Sequence, residues 1–315
     1  MNLLIGAATT GLILALLGLG VFISYRVYKT LDLTADGSFG LGAAVCGALL
    51  VMHVHPLAAT AVATIAGIVA GAITGILHTE FLVSAVLAGV LTSPALYSVS
   101  LFVMGSGNLS LASADSLVTV AERLGPRLLG LPPSLTVLGT TVSGGSLATL
   151  ALMALLAGGF GLALALFMGT DLGLAMRASG NNPQMAKALA IDVDRMFVLG
   201  LGLSNGLIAL AGALSSQFQG FADIQMGIGA LVTGLANLMV GEALLGRRPI
   251  GRWIAGAVVG AVVFRLLVAA AVRAGLNMNA LKLVTALFVL GVLVLPRLMP
   301  RAWRGPSTEG ARSNA

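Results

Sequence analysis

Asp32, Asp36, Asp223, Glu242 and Arg265 are ionisable residues placed at the start of, or inside, long apolar runs. A charge held in hydrocarbon is costly unless it is paired or faces water. Such residues therefore mark a solute path, an ion relay or a buried pair. Hydrolytic chemistry is missing. None of the lysines, Lys29, Lys187 and Lys282, follows a glycine, so the Gly-Lys-Ser/Thr element that cradles nucleotide phosphates is absent. His53 and His55 flank a turn ending in Pro56, His78 sits in another, and Cys46 stands alone in an apolar run, so neither a metal cluster nor an internal disulfide is expected. No Ser-His-Asp set and no pair of catalytic carboxylates is visible. An enzyme is set aside, and no cofactor is expected.

Two of the carboxylates lie in a repeated motif. Ala35-Asp36-Gly37-Ser38-Phe39-Gly40-Leu41-Gly42-Ala43 lines up with Ala222-Asp223-Ile224-Gln225-Met226-Gly227-Ile228-Gly229-Ala230, identical at both Ala, the Asp and both Gly, with Phe39/Met226 and Leu41/Ile228 exchanged. Each copy opens an apolar run of fourteen residues, 39–52 and 227–240. A helix of that length rises about 21 Å against roughly 30 Å of hydrocarbon, so part of each crossing must be non-helical or sunk in protein. Asp36 and Asp223 are suited to cap helix starts. Two readings follow: ordinary caps at membrane boundaries, or two broken helices flanking a solute path.

The elements that carry these residues span a membrane. The sequence is 58% hydrophobic and only 9% charged, with a mean hydropathy of +1.03, where a soluble domain carries about 25% charged residues. Apolar runs at about 3–25, 39–52, 57–77, 81–103, 144–168, 196–216, 226–245, 253–272 and 281–297 predict nine spans in an all-α polytopic fold. The first lacks a signal peptide's basic n-region and cleavage site. The +6 net charge is not read as a nucleic-acid footprint, because the basic residues fall in short loops between spans. With the C-terminus inside, twelve of them are cytosolic and four, Arg123, Arg127, Arg273 and Lys282, are outside, which predicts N-out and C-in.

That orientation makes the duplication inverted. The motif copies open spans two and seven, an odd separation, so they cross in opposite directions. The small-residue ladder Gly67-xxx-Gly71 of span three matches Gly256-xxx-Gly260 of span eight at an offset of 189 residues, close to the 187 between Asp36 and Asp223. Spans 1–4 and 6–9 are expected to form two inverted repeats joined by span 5. Residues 1–300 are then one transmembrane domain and 301–315 a polar cytosolic tail. In the external segment 104–142, Asp115 is expected to cap a helix from Ser116 to Leu124 that Gly125-Pro126 stops. Arg265, deep in span eight, is expected to pair inside the protein, with Asp223 the best candidate, to snorkel outward, or to face the solute path and attract a carboxylate. In the internal segment 169–195, Asn181-Asn182-Pro183 predicts a short separate helix, cap followed by proline, over Gln184 to Leu189.

Leu31-Asp32-Leu33-Thr34 with its glycine-rich span, Ala178-Ser179-Gly180-Asn181-Asn182-Pro183 with Ala186 and Ala188-Leu189-Ala190-Ile191-Asp192-Val193, and Ala222 to Gly229 resemble, in this order, the permease subunits of ABC importers of the branched-chain amino acid and ribose type. The chain is most similar to a less characterised branch linked to amino acids, from about residue 10 to 300. The resemblance implies a multi-pass protein of the cytoplasmic (inner) membrane that pairs with a second permease subunit, expected as a homodimer. It also implies a separate ATPase and an extracytoplasmic solute-binding protein that supplies most specificity. The coupling helix of such proteins matches Asn181 to Ile191, which places Asn181, Asn182, Pro183, Met185, Ala186, Lys187 and Leu189 at the ATPase. Asp32, Thr34, Asp36, Phe39, Asp223, Met226 and Arg265 are the candidates for the pore or its broken helices. Ala190 stands where many relatives carry glycine. The alternative is an ion-coupled secondary transporter, which also uses inverted repeats.

Overall fold

The computed structural model describes residues 2–275, apart from 129, 131, 133, 138–139 and 247–248. The chain folds as α1 (Asn2–Phe22), prolonged by a π-helical turn at Ile23–Val27, then α2 (Thr34–Val51), α3 (Pro56–Thr79), α4 (Ala85–Met104), α5 (Leu117–Leu128), α6 (Gly144–Phe167), α7 (Asp171–Asn181), α8 (Pro183–Ala188), α9 (Val193–Gln219), α10 (Ala230–Leu245) and α11 (Ile250–Arg273). Two small antiparallel pairs, β1 (Asn108–Ser110) with β4 (Phe221–Asp223) and β2 (Ser134–Val137) with β3 (Thr140–Ser143), accompany them. Eight helices among the described residues are long and apolar enough to cross a membrane, matching the first eight expected spans; the expected span 281–297 and the tail 301–315 lie outside the described residues.

The core gathers on α9, which packs against α1, α2 and α3, while α11 lies along α1 and α10. Both small-residue ladders are contact surfaces. A Cβ on Gly71 would come within 2.2 Å of the Leu201 carbonyl, and one on Gly260 within 2.1 Å of the Asn237 carbonyl. Helix backbones meet at these points because no side chain stands between them.

The chain between the π-helical turn and α2 is not helical. The Tyr28 hydroxyl donates to the Met196 carbonyl near the start of α9, and four residues later the Asp32 carboxylate accepts from Asn205 Nδ2 at 2.7 Å, midway along α9. Met196 and Asn205 are nine residues apart, about 13–14 Å along a helix. The side chains at the two ends of the non-helical stretch 28–33 thus engage α9 about a third of its length apart. Asp32, not Asp36, starts that helix, taking the Thr34 N–H at 3.0 Å.

A second break enters from the opposite end. After α9 the chain pairs with β1 and turns at Asp223, whose carboxylate accepts from Gln225 N at 2.7 Å and from Asn108 Nδ2 at 3.0 Å. A 3₁₀ turn, Ile224–Gly227, then leads to α10, whose first residue follows Gly229 at φ +83°. The expectation that Asp36 and Asp223 hold equivalent places is therefore corrected. Asp36 lies inside the first turn of α2, whereas Asp223 closes a strand seven residues before α10, because sheet pairing with Asn108 keeps its backbone extended. In local geometry Asp223 corresponds to Asp32, since each accepts the N–H two residues on.

The two helices nevertheless run in opposite directions from a shared point. Beyond Asp36, α2 reaches Cys46, whose sulfur meets Gln217 Nε2 near the end of α9 at 3.3 Å; α10 returns to Glu242, which pairs with Arg26 at the end of α1.

Segment 104–142 also departs from expectation. Ser116 caps α5 by accepting the Thr119 N–H at 3.1 Å, while Asp115 pairs with Arg123. The helix continues through Gly125-Pro126 to Leu128 because it rests on α6, with Gly125 seated against Ala148.

Candidate functional site

Asp36 joins α2 to the start of α10. Its carboxylate accepts the Gly229 N–H at 3.1 Å and the Leu231 N–H at 2.8 Å, so a residue of α2 caps the start of α10. Gly227 permits the approach: a Cβ there would lie 1.9 Å from the Asp36 carbonyl. The positive ends of both helix dipoles meet around this carboxylate, which stabilises each.

Two cavities flank the junction. One of about 120 Å³ is lined by Asp36, Ser93, Tyr97, Ser100 and Ile228 among others. The other, of about 260 Å³, brings together Phe39, Met226 and Arg265 with Thr10, Ser215 and Gln219. Phe39 and Met226, paired positions of the repeated motif, thus share one wall. Asp32 and Thr34 stand apart as supports: both are buried, and the Thr34 hydroxyl meets that of Thr74 at 3.0 Å. Asp223 stays at the β1–β4 edge, and no ion pair joins it to Arg265. Sequence reasoning missed Asn205, although a lone asparagine inside the apolar run 196–216 was the available signal.

The second constellation is the elbow after α6. Thr170 caps α7 through Gly173 N at 3.3 Å, and α7 extends through Ser179-Gly180 to Asn181. Asn182 then accepts the Met185 N–H at 3.1 Å and Pro183 begins α8, as the cap-proline pair predicts. Asn181 accepts from Lys29 Nζ at 3.1 Å. All of α8 is exposed except Ala186, at 0%, which is turned onto this chain beside α7 and α9. Ala186, one of the residues the resemblance implies at the ATPase, is therefore not part of the exposed surface of α8. Met185 (53% exposed) and Leu189 (62%), four residues apart on one face, form the outward surface with Lys187 beside them.

The family described as the permease component of branched-chain amino acid transport systems matches residues 3–295. The chain belongs to this family. The permease is similar to a tyrosine transport system permease protein of Clostridioides difficile, 34% identical over 298 residues that cover 95% of this chain and 92% of that protein. It is also similar to an uncharacterised protein of Rickettsia prowazekii, 34% identical over 245 residues, or 78% of each chain. No solved structure matches. The permease is a transport subunit, and its elbow shows one local compromise. Ala190, just after α8, adopts φ +59°, a left-handed conformation that costs an L-residue about 1–2 kcal/mol and that glycine adopts freely. Ala190→Gly is expected to stabilise the permease by about 0.5–1 kcal/mol after the entropy glycine adds to the unfolded chain. An unchanged or lower melting temperature would contradict this.

Proposed function

We propose that this permease is the pore-forming subunit of an ATP-driven importer that moves an amino-acid-like solute across the cytoplasmic (inner) membrane. It lies N-out and C-in and works as a pair of identical permease subunits. A solute-binding protein delivers the solute from outside, and a separate ATPase docks on α8 in the cytosol. The resemblance to a tyrosine permease makes aromatic amino acids the first solutes to try.

The observation that carries this reading is the elbow. A six-residue helix is marginal alone, yet α8 is capped by Asn182, begun by Pro183 and held by one buried residue, Ala186, while it projects Met185 and Leu189 outward. Two exposed apolar side chains with one lysine make a poor lipid anchor and a compact knob for a protein groove. The permease lacks a phosphate loop of its own, which agrees with energy arriving through such a contact.

Met185→Glu with Leu189→Glu is expected to weaken ATPase binding by about 2 kcal/mol, roughly 30-fold, without loss of fold, since both side chains are exposed. Co-purification of the ATPase reads the effect; retained docking with normal uptake would move the contact elsewhere. Ala186→Glu is a poorer probe, because it also buries a charge within this chain. A second reading, ion coupling, draws on Asp32, a buried carboxylate at mid-bundle without a basic partner among the described residues. Its bonds to Thr34 and Asn205 give it a capping role instead.

A further inference from the structure

We propose that the 260 Å³ cavity between α1, α2, α9, α10 and α11 binds the carboxylate of a passing solute through Arg265, an assignment that rests on the permease reading above. Arg265 lies fifteen residues after Ile250 and eight before Arg273, so its backbone is about 22 Å and 12 Å from the two ends of α11. It sits well inside the apolar span. Among the described residues its Nε is buried without a hydrogen-bond partner, and no salt bridge reaches the guanidinium. The carboxylates of the neighbouring elements are engaged elsewhere: Asp32 by Thr34 and Asn205, Asp36 by Gly229 and Leu231, Asp223 by Asn108 and Gln225, Glu242 by Arg26. A guanidinium has a planar fork of five donors that suits a carboxylate, and a membrane interior penalises it until an anion arrives.

The rest of the cavity selects the class of anion. Gly229, Ala230 and Thr233 bring the start of α10 to the same wall, beside the Asp36 carboxylate that caps it. Ser215 and Gln219 of α9 offer oxygens to an ammonium group. Phe39, Leu17 and Met226 provide an apolar side for a side chain. Cation, acceptors and apolar wall in a small cavity fit a zwitterionic amino acid. Phe39 and Met226 also place the cavity where α2 meets the 3₁₀ turn before α10.

The test is thermal shift of the purified full-length permease with each standard amino acid at millimolar concentration, and with tyramine as the decarboxylated partner of tyrosine. At least one amino acid should raise the melting temperature, and an amine without the carboxylate should not. Arg265→Gln should weaken the apparent affinity roughly 10- to 100-fold, the loss of a charged hydrogen-bonded contact, with Arg265→Lys intermediate. If no amino acid shifts the permease, or the shift survives Arg265→Gln, or tyramine acts as well as tyrosine, the site is overturned. Failure of ATP-driven uptake with this shift intact would instead overturn the functional reading and leave the site standing.

Discussion

Asp36→Ala is expected to be among the most damaging single changes, lowering stability by about 3 kcal/mol or more. Each of its two bonds joins a carboxylate to a backbone N–H, and such bonds contribute about 1.5–3 kcal/mol. Their loss strips the cap from α10, and the adjoining glycine contact at Gly227 depends on the same placement. Asp36→Asn keeps one accepting oxygen but turns an amide N–H₂ toward the other donor, so a loss of similar sign and smaller size is expected. Thermal unfolding of the purified permease checks both. Wild-type melting for Asp36→Ala would mean that α10 needs no help from α2.

Arg26→Ala is expected to cost about 3–5 kcal/mol, the usual result of breaking a buried ion pair from one side. The Glu242 carboxylate is 5% exposed and is held by both Nε and Nη2 of Arg26, tying the π-helical end of α1 to the end of α10. Removing the guanidinium takes from that buried carboxylate the counter-charge that Arg26 supplies. Glu242→Gln in the same chain should recover much of the loss, because the buried charge then disappears. A double-mutant cycle on unfolding midpoints reads the coupling; additive losses would show that the pair contributes little.

The spans were legible because hydrocarbon thickness and composition leave few alternatives, and the cap-proline start of α8 was legible because it is local chemistry at Asn182 and Pro183. The shortness of the run after Asp36 pointed to a crossing that is partly non-helical or sunk in protein; α2 starts earlier, at Thr34, and is largely buried in the bundle. What could not be read is what depends on neighbours distant in sequence. Asp36 looks like a cap for its own helix, yet its donors lie in α10, because Asp32 already serves α2. Asp223 shares a motif with Asp36 but obeys the β1–β4 pairing. Ala186 was expected at the ATPase from the resemblance, whereas the face of α8 that meets its own chain is fixed by how the elbow folds back. Gly125-Pro126 reads as a stop signal, and contact with α6 overrides it.

Uptake in sealed vesicles tests the central claim most directly. The purified permease is reconstituted with its ATPase inside and its binding protein outside, and entry of a labelled amino acid bound by that protein is followed. Accumulation should require internal ATP, the ATPase and the binding protein together, persist when proton and sodium gradients are collapsed, and fail when Met185 and Leu189 are both replaced by glutamate. Accumulation by the permease alone, driven by an ion gradient and indifferent to ATP, would contradict the account.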